Sequence, residues 1–140
     1  MAHVTGKNAY ISFGGVEIQA DNRSLSWDES TDVADTTAGA DAFESHVVTT
    51  KNVEFSLTLL YDNSAAGTAT TVAVANGAAG TLDIGPEGTA TGKPRYTIVG
   101  TVTGKSPTWD YDGESEFDIT ITANGAWVNH YDTSTGSGTW

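Results

Sequence analysis

Residues 52–61, NVEFSLTLLY, carry the clearest structural signal in the chain. Their apolar residues fall at every second position, which is the period of a β-strand with one buried face. The stretch therefore predicts a strand with two chemically distinct faces. Its core face would carry Val53, Phe55, Leu57, Leu59 and Tyr61, and its outer face Asn52, Glu54, Ser56 and Thr58.

The same period recurs in several other short segments. Residues 10–18 form two short runs around Gly14-Gly15, a pair that favours a tight hairpin because both positions can adopt positive φ. Further strands are predicted around residues 24–28, 81–85, 95–106 and 116–123, with Gly100 weakening the third. Residues 63–80 favour one short helix, capped by Asn63 or Ser64 and ended near Asn76-Gly77.

These elements predict a single domain over residues 1–140, an all-β sandwich or barrel with one short α-helix. Two segments lie outside the pattern. Residues 30–51 are rich in Ser and Thr and show no steady period, so we expect a long loop that acts as an extended arm. Residues 132–140 are rich in Ser, Thr and Gly, and we expect a flexible C-terminal tail there.

Composition excludes several classes of function. The chain has no cysteine, so thiolate metal sites, cysteine nucleophiles and disulfides are absent. Eighteen acidic residues against six basic ones give a formal charge of −12, which disfavours tight binding to a nucleic-acid backbone. Neither a leader peptide nor a membrane-spanning stretch is visible, so we expect synthesis in a cytoplasm and no membrane partner.

No motif of enzyme chemistry is present, and no cofactor is expected. His3, His46 and His130 are far apart in the sequence, and we expect them at the surface. The acidic run at residues 110–116 has the wrong order for a calcium loop. Calcium binding by its carboxylates stays open as the weaker interpretation. A sugar-stacking platform also stays open for the four tryptophans, but Trp27, Trp109, Trp127 and Trp140 fit core or interface positions better.

The outer faces of the two strongest strands share an unusual composition. They carry carboxylates and small hydroxyls with no Lys or Arg among them: Glu54, Ser56, Thr58, Glu116, Asp118 and Thr120. A solvated sheet face usually mixes both signs of charge, since facing like charges are unfavourable. Such a face fits the wall of a DNA conduit, which must repel phosphate and offer nothing to hold it; an ordinary acidic sheet face is the alternative.

Across nearly its whole length the sequence resembles the tail tube proteins of long-tailed bacteriophages. The resemblance rests on the order of its segments: GKNAYISFGGVEI at residues 6–18, DVADTTAG at 32–39, KNVEFSLTLLYD at 51–62, LDIGPEG at 82–88, GKPRYTIVGTVT at 92–103 and FDITITANGA at 117–126. The residues Asp32-Val33 with Asp35-Thr36-Thr37, and the closing strand, are the most specific. The C-terminal residues 127–140 fit the pattern less well.

The resemblance implies a structural protein of the virion tail, in which six copies close into a ring and the rings stack into a tube. It implies partners as well: other copies of the chain, a tape measure protein, a tail terminator, and DNA that passes without specific binding. The inner wall would be formed by the acidic and hydroxyl residues named above. The contact between rings would be made by residues of the arm: Asp32, Val33, Asp35, Thr36, Thr37, Phe43, Val47 and Val48. A head decoration protein and a carbohydrate-binding module are the alternatives.

Overall fold

The computed structural model describes residues 9–18, 22–40, 42–61, 63–109, 111–133 and 136–140. This part of the chain is mostly antiparallel β-sheet with one short α-helix, which confirms the predicted fold class. The strands are β1 (Tyr10–Phe13), β2 (Val16–Glu17), β3 (Asn22–Asp35), β4 (His46–Leu60), β5 (Ala79–Gly85), β6 (Tyr96–Thr108), β7 (Glu116–Ala123) and β8 (Asn129–His130). The helix, α1 (Ala65–Ala73), lies between β4 and β5.

All eight strands belong to one antiparallel sheet in the order β2-β1-β5-β6-β7-β4-β3, with β8 added on β6. Strand β6 joins the two halves of the sheet, because Ala79–Ile84 of β5 pair with its first half and β7 pairs with its second half. Gly100 lies where the strand changes partners. A Cβ there would come within 2.7 Å of the Ile121 side chain, so glycine permits the close approach of β7.

The core lies between the two halves of this folded sheet. One cluster contains Phe13, Leu82 and Ile98 from the first half together with Phe55 and Ile121 from the second. The predicted core face of β4 is confirmed for Val53, Phe55, Leu57 and Leu59, which are all buried. Tyr61 was wrongly predicted as core: it follows the end of β4, is 46% exposed, and packs its ring against Trp109 at 4.8 Å.

The two local predictions made from capping and turn residues are confirmed. Gly14 and Gly15 join β1 to β2 with φ values of 60° and 84°, a conformation that glycine adopts without strain. Ser64 caps α1 by accepting a bond from the Gly67 amide at 3.1 Å. At the other end, the Lys105 ammonium donates to the Thr71 carbonyl at 3.2 Å, where the helix dipole favours a cation. In the described ranges, no helix has the length and apolar character needed to cross a bilayer.

The stretch predicted as a loop is largely a two-stranded ribbon. Strands β3 and β4 continue to pair beyond the sheet, from Ser30 opposite Asn52 to Asp35 opposite His46, and only residues 36–45 connect them. At about 3.3 Å per residue the ribbon extends roughly 20 Å from the sheet. Both of its faces are exposed, so no alternation of apolar and polar residues could reveal it in the sequence.

The C-terminal residues 136–140 contact the first half of the sheet. The Trp140 amide donates to the Lys93 carbonyl at 3.0 Å, and its carbonyl accepts from the Gly92 amide at 2.9 Å. The indole ring lies under the Arg95 guanidinium, and the edge of the ring meets Tyr10. The flexibility expected for residues 132–140 stays a prediction, but the sequence did not anticipate these anchoring contacts.

Candidate functional site

The pairing of β4 with β7 brings the six predicted wall residues onto one face of the sheet. Ser56 lies opposite Thr120, Thr58 opposite Asp118, and Glu54 opposite Thr122. The residues between them, such as Phe55 and Ile119, point to the core. Neighbouring strands extend this polar face with residues of the same kind: Ser24, Ser26 and Asp28 on β3, Thr122 on β7, and Thr101, Ser106 and Thr108 on β6.

Two acidic residues lie opposite each other on the polar face. Asp28 of β3 and Glu54 of β4 are paired in register and both are exposed. Like charges opposite each other on neighbouring strands destabilise a sheet. Nearby, the Thr58 hydroxyl donates to the Asp118 carboxylate at 2.9 Å, which orients the two side chains that the strand pairing brings together.

A cation reaches the margin of the polar face, which sequence reasoning missed. The Arg23 guanidinium donates to the Glu116 carboxylate at 3.4 Å and lies 4.0 Å from Glu114. Arg23 falls at a break in the β3 register between Asn22 and Ser24, so a simple alternation of faces did not place it. The rest of the polar face keeps its acidic character.

The four-stranded half of the sheet has two open edges. Strand β3 ends the sheet, and in the described part of the chain its outer edge pairs with no strand. On the far side, β5 pairs with β6 only as far as Thr101, which leaves the edge of residues 103–108 without a strand partner among the described residues. Successive antiparallel pairings make β3 and β6 run in opposite directions.

The arm, residues 30–51, carries all eight residues predicted for a contact, and every one is exposed. Val33 pairs with Val48 in the ribbon, and Phe43 at the tip is 85% exposed. The connection between the two strands begins with a hydrogen-bonded turn. The Asp35 carboxylate accepts a bond from the Thr37 amide at 2.9 Å, and the bonds from Thr37 hold the pKa of Asp35 below its usual value.

The arm joins the sheet beside the segment of residues 126–133. At this point the Glu29 carboxylate oxygen Oε1 accepts a bond from Trp127 Nε1 at 2.9 Å and lies 2.9 Å from His130 Nε2. The expectation of a surface position was wrong for His130, which is 3% exposed, because β8 pairs with β6 and draws the ring into the core. His46 is exposed on the arm, and His3 lies outside the described residues.

Aromatic rings surround His130. Trp127 packs edge-on to its imidazole at 4.6 Å and also meets Trp27 and Phe55. The Tyr96 hydroxyl donates to Asp132 at 2.9 Å, and burial together with this carboxylate raises the pKa of Tyr96 to about 12. Trp27 and Trp127 are partly buried and pack against the core, as expected for core or interface residues and not for an exposed sugar platform. Trp109, at 63% exposed, remains accessible.

The described ranges contain no group of three or more His, Asp or Glu side chains placed to hold a metal ion. A cleft of about 610 Å³ lies between the start of the arm and residues 123–133. Its walls include Glu29, Ser30 and Lys51 on the arm side and Gly125 and Trp127 on the opposite side.

Comparisons with known proteins give a consistent structural result. No family model matches the chain, and no curated protein matches it by sequence. A chain from the tail of an empty gene transfer agent particle, refined with C6 symmetry, has a TM-score of 0.68 at 12% identity, over 89% of this chain and 97% of that one. A chain of the sheath-tube complex of an extracellular contractile injection system has a TM-score of 0.63 at 13% identity, over 88% of both chains.

A chain from the tube-terminating cap of an anti-feeding prophage has a TM-score of 0.64 at 12% identity, with 89% of both chains covered. These similarities extend over most of each chain, so they concern the whole architecture and not one motif. At such low sequence identity they establish the fold. This chain has the fold of the tube proteins found in phage-like tails and contractile injection systems.

Proposed function

We propose that this chain is a structural subunit of a phage-type tail tube, in which copies join through their sheets into rings and the rings stack. The observation that carries the proposal is the pair of open edges on the four-stranded half of the sheet. An edge of 14 residues such as β3 is a ready template for another strand. Closure of identical copies into a ring removes both edges at once.

The directions of the strands suit this join. Because β3 and the second half of β6 run in opposite directions, β6 of one copy would lie antiparallel to β3 of the next. The alternation within each subunit would then continue around the ring. The C6 symmetry of the similar gene transfer agent tail supports six copies per ring.

In such a ring the polar face would form the lumen. Glu54, Ser56, Thr58, Glu116, Asp118 and Thr120 then line a hole whose negative charge repels DNA phosphates. The Asp28–Glu54 pair supports this assignment, because a like-charge pair that weakens the free subunit is explained by a role in the assembly. A tape measure protein would occupy the hole before the DNA, and a tail terminator would end the tube.

Stacking of the rings would use the two ends of the sheet. Strand β4 begins in the arm, where it contains the exposed residues Val47 and Val48. It ends next to the exposed pair Tyr61 and Trp109. Exposed apolar and aromatic residues are typical of interaction surfaces. An arm that reaches the neighbouring ring would cover both groups.

Cross-linking tests the lateral join. The chain has no cysteine, so Ser26→Cys on β3 and Ser106→Cys on β6 are unique labels on the same face. Within one subunit β4 and β7 separate the two strands, a distance of about 14 Å, so a disulfide cannot form there. A short bis-maleimide should give a ladder of multimers with the double variant, but at most dimers with either single variant.

Electron microscopy of the concentrated protein should show rings or tubes, and added salt should promote them by screening the mutual repulsion of acidic subunits. A protein that stays monomeric under all conditions, and whose double variant gives no ladder, contradicts the proposal.

The lumen is tested separately. Reversal of charge by Glu54→Lys with Asp118→Lys should leave assembly intact but slow DNA ejection from particles built with the variant. Normal ejection would remove the lumen assignment without affecting the subunit role.

A further inference from the structure

At the base of the arm, Glu29 is hydrogen-bonded to the segment of residues 126–133. Val53 is the first buried residue of β4, and every described residue from Ser30 to Asn52 is exposed. A cleft of about 610 Å³ separates the arm from residues 123–133. Glu29 spans this gap at its inner end.

The chemistry of the contact is well defined. A carboxylate has no hydrogen to donate at neutral pH, so His130 must donate from Nε2, just as Trp127 donates from Nε1. Both donors meet the same oxygen of Glu29. His130 Nδ1 is buried and has no hydrogen-bond partner among the described residues, so the Nε2–H tautomer leaves no buried N–H unpaired.

The two donors belong to a rigid part of the molecule. Trp127 contacts Trp27 and Phe55, and His130 contacts Tyr96, so both rings are fixed by the aromatic core. Glu29 is 45% exposed by contrast, and it belongs to the strand that continues into the arm. Two donors in fixed positions therefore hold Glu29, the residue that directly precedes the arm.

We propose that residues 126–133 form a latch that sets the angle of the arm through Glu29. When the carboxylate is held, the ribbon leaves the sheet in one direction. When the bonds to Trp127 and His130 are lost, the ribbon turns about its junction with the sheet, and the adjoining cleft gives it room. The latch belongs to the free subunit and does not depend on the proposed assembly.

Distance measurements on the free subunit test the latch. Spin labels at Ala42→Cys on the arm tip and Thr81→Cys on β5 report the angle, and both sites are exposed in a chain without other cysteines. Glu29→Ala should at least double the width of the distance distribution. Asp28→Ala is the matched control, because it removes the neighbouring carboxylate of the same strand from the opposite face and should leave the width unchanged.

A second variant protects the test against misfolding. Trp127→Phe keeps the aromatic packing but removes one donor, and we expect an intermediate width with an unchanged circular dichroism spectrum. Amide exchange distinguishes turning from melting: residues 31–35 and 46–50 should keep their protection in both variants, since the ribbon moves as a unit. Unchanged widths in Glu29→Ala and Trp127→Phe, or a loss of protection along the ribbon, would overturn the proposal.

Discussion

Asp28 and Glu54 stand directly opposite each other on adjacent strands, two exposed carboxylates of which neither forms an ion pair with a described residue. The pair lies on the face that the sequence singled out for its composition. Its neighbours along the strands are hydroxyl side chains, Ser26 and Ser56, which cannot neutralise it. The free subunit therefore contains a local repulsion that a single substitution can relieve.

Glu54→Gln should raise the free energy of unfolding by about 0.2–1 kcal/mol, since it removes a like-charge cross-strand pair. The gain should shrink as salt is added, because the repulsion is screened. Urea denaturation at low and high salt measures both effects. Asp112→Asn makes the same change of charge in an exposed loop and is the control; an equal gain there would show that only net charge matters.

Gly85→Ala should destabilise the protein by about 1–3 kcal/mol, as expected when a side chain is forced into a filled space. A Cβ at this position would lie 2.6 Å from the Gly88 carbonyl and 2.7 Å from the Trp140 indole nitrogen. The variant should also release the C-terminal contacts, seen as faster exchange of the Trp140 amide. Gly39→Ala is the control, because its Cβ meets nothing within 4 Å. Retained protection at Trp140 would contradict this account of Gly85.

Tyr96→Phe should remove part of the loss of stability at alkaline pH. The pKa of Tyr96 is about 12 in the folded state against about 10 for an ordinary tyrosine, so the folded protein holds this proton more tightly. Its contribution is complete below pH 10 and disappears as the pH rises towards 12. Thermal unfolding from pH 8 to 11.5 should show a flatter decline in the variant. Equal slopes in the two proteins would exclude the effect.

Lys105→Met should lower the free energy of unfolding by about 0.5–1.5 kcal/mol, which is the range for a cation at a helix C-terminus or over an aromatic ring. The ammonium bonds the last turn of α1 through Thr71 and lies 5.0 Å from the Phe117 ring. Chemical denaturation is the measurement. Lys93→Met removes an exposed lysine paired with Glu87 at 3.8 Å and should change little. A loss at Lys93 as large as that at Lys105 would argue against the capping role.

Sequence reasoning succeeded where one local rule decides the outcome. The period of two placed Phe55 and Leu57 in the core, and the Gly-Gly pair placed the first turn, because each depends on a few neighbouring residues. The same period placed Glu54 and Asp118 on the outer faces of their respective strands. That the two strands are neighbours was not in the pattern, since pairing joins residues about 60 positions apart.

The missed features depend on tertiary contacts. His130 looks like a surface residue in its own segment, and only the pairing of β8 with β6 draws it inward to Glu29, 101 positions away. The ribbon of the arm was missed because strands exposed on both faces have no hydrophobic period. Arg23 was missed at the polar face because a register shift cannot be read from alternation.

The two open edges, β3 and the second half of β6, also bear on how the proposed assembly adds copies. In an assembly joined through these edges, each added copy presents the same two edges as the copy before it, so hydrogen bonding alone neither counts subunits nor marks the first one. Ring stoichiometry would then come from the curvature at each join.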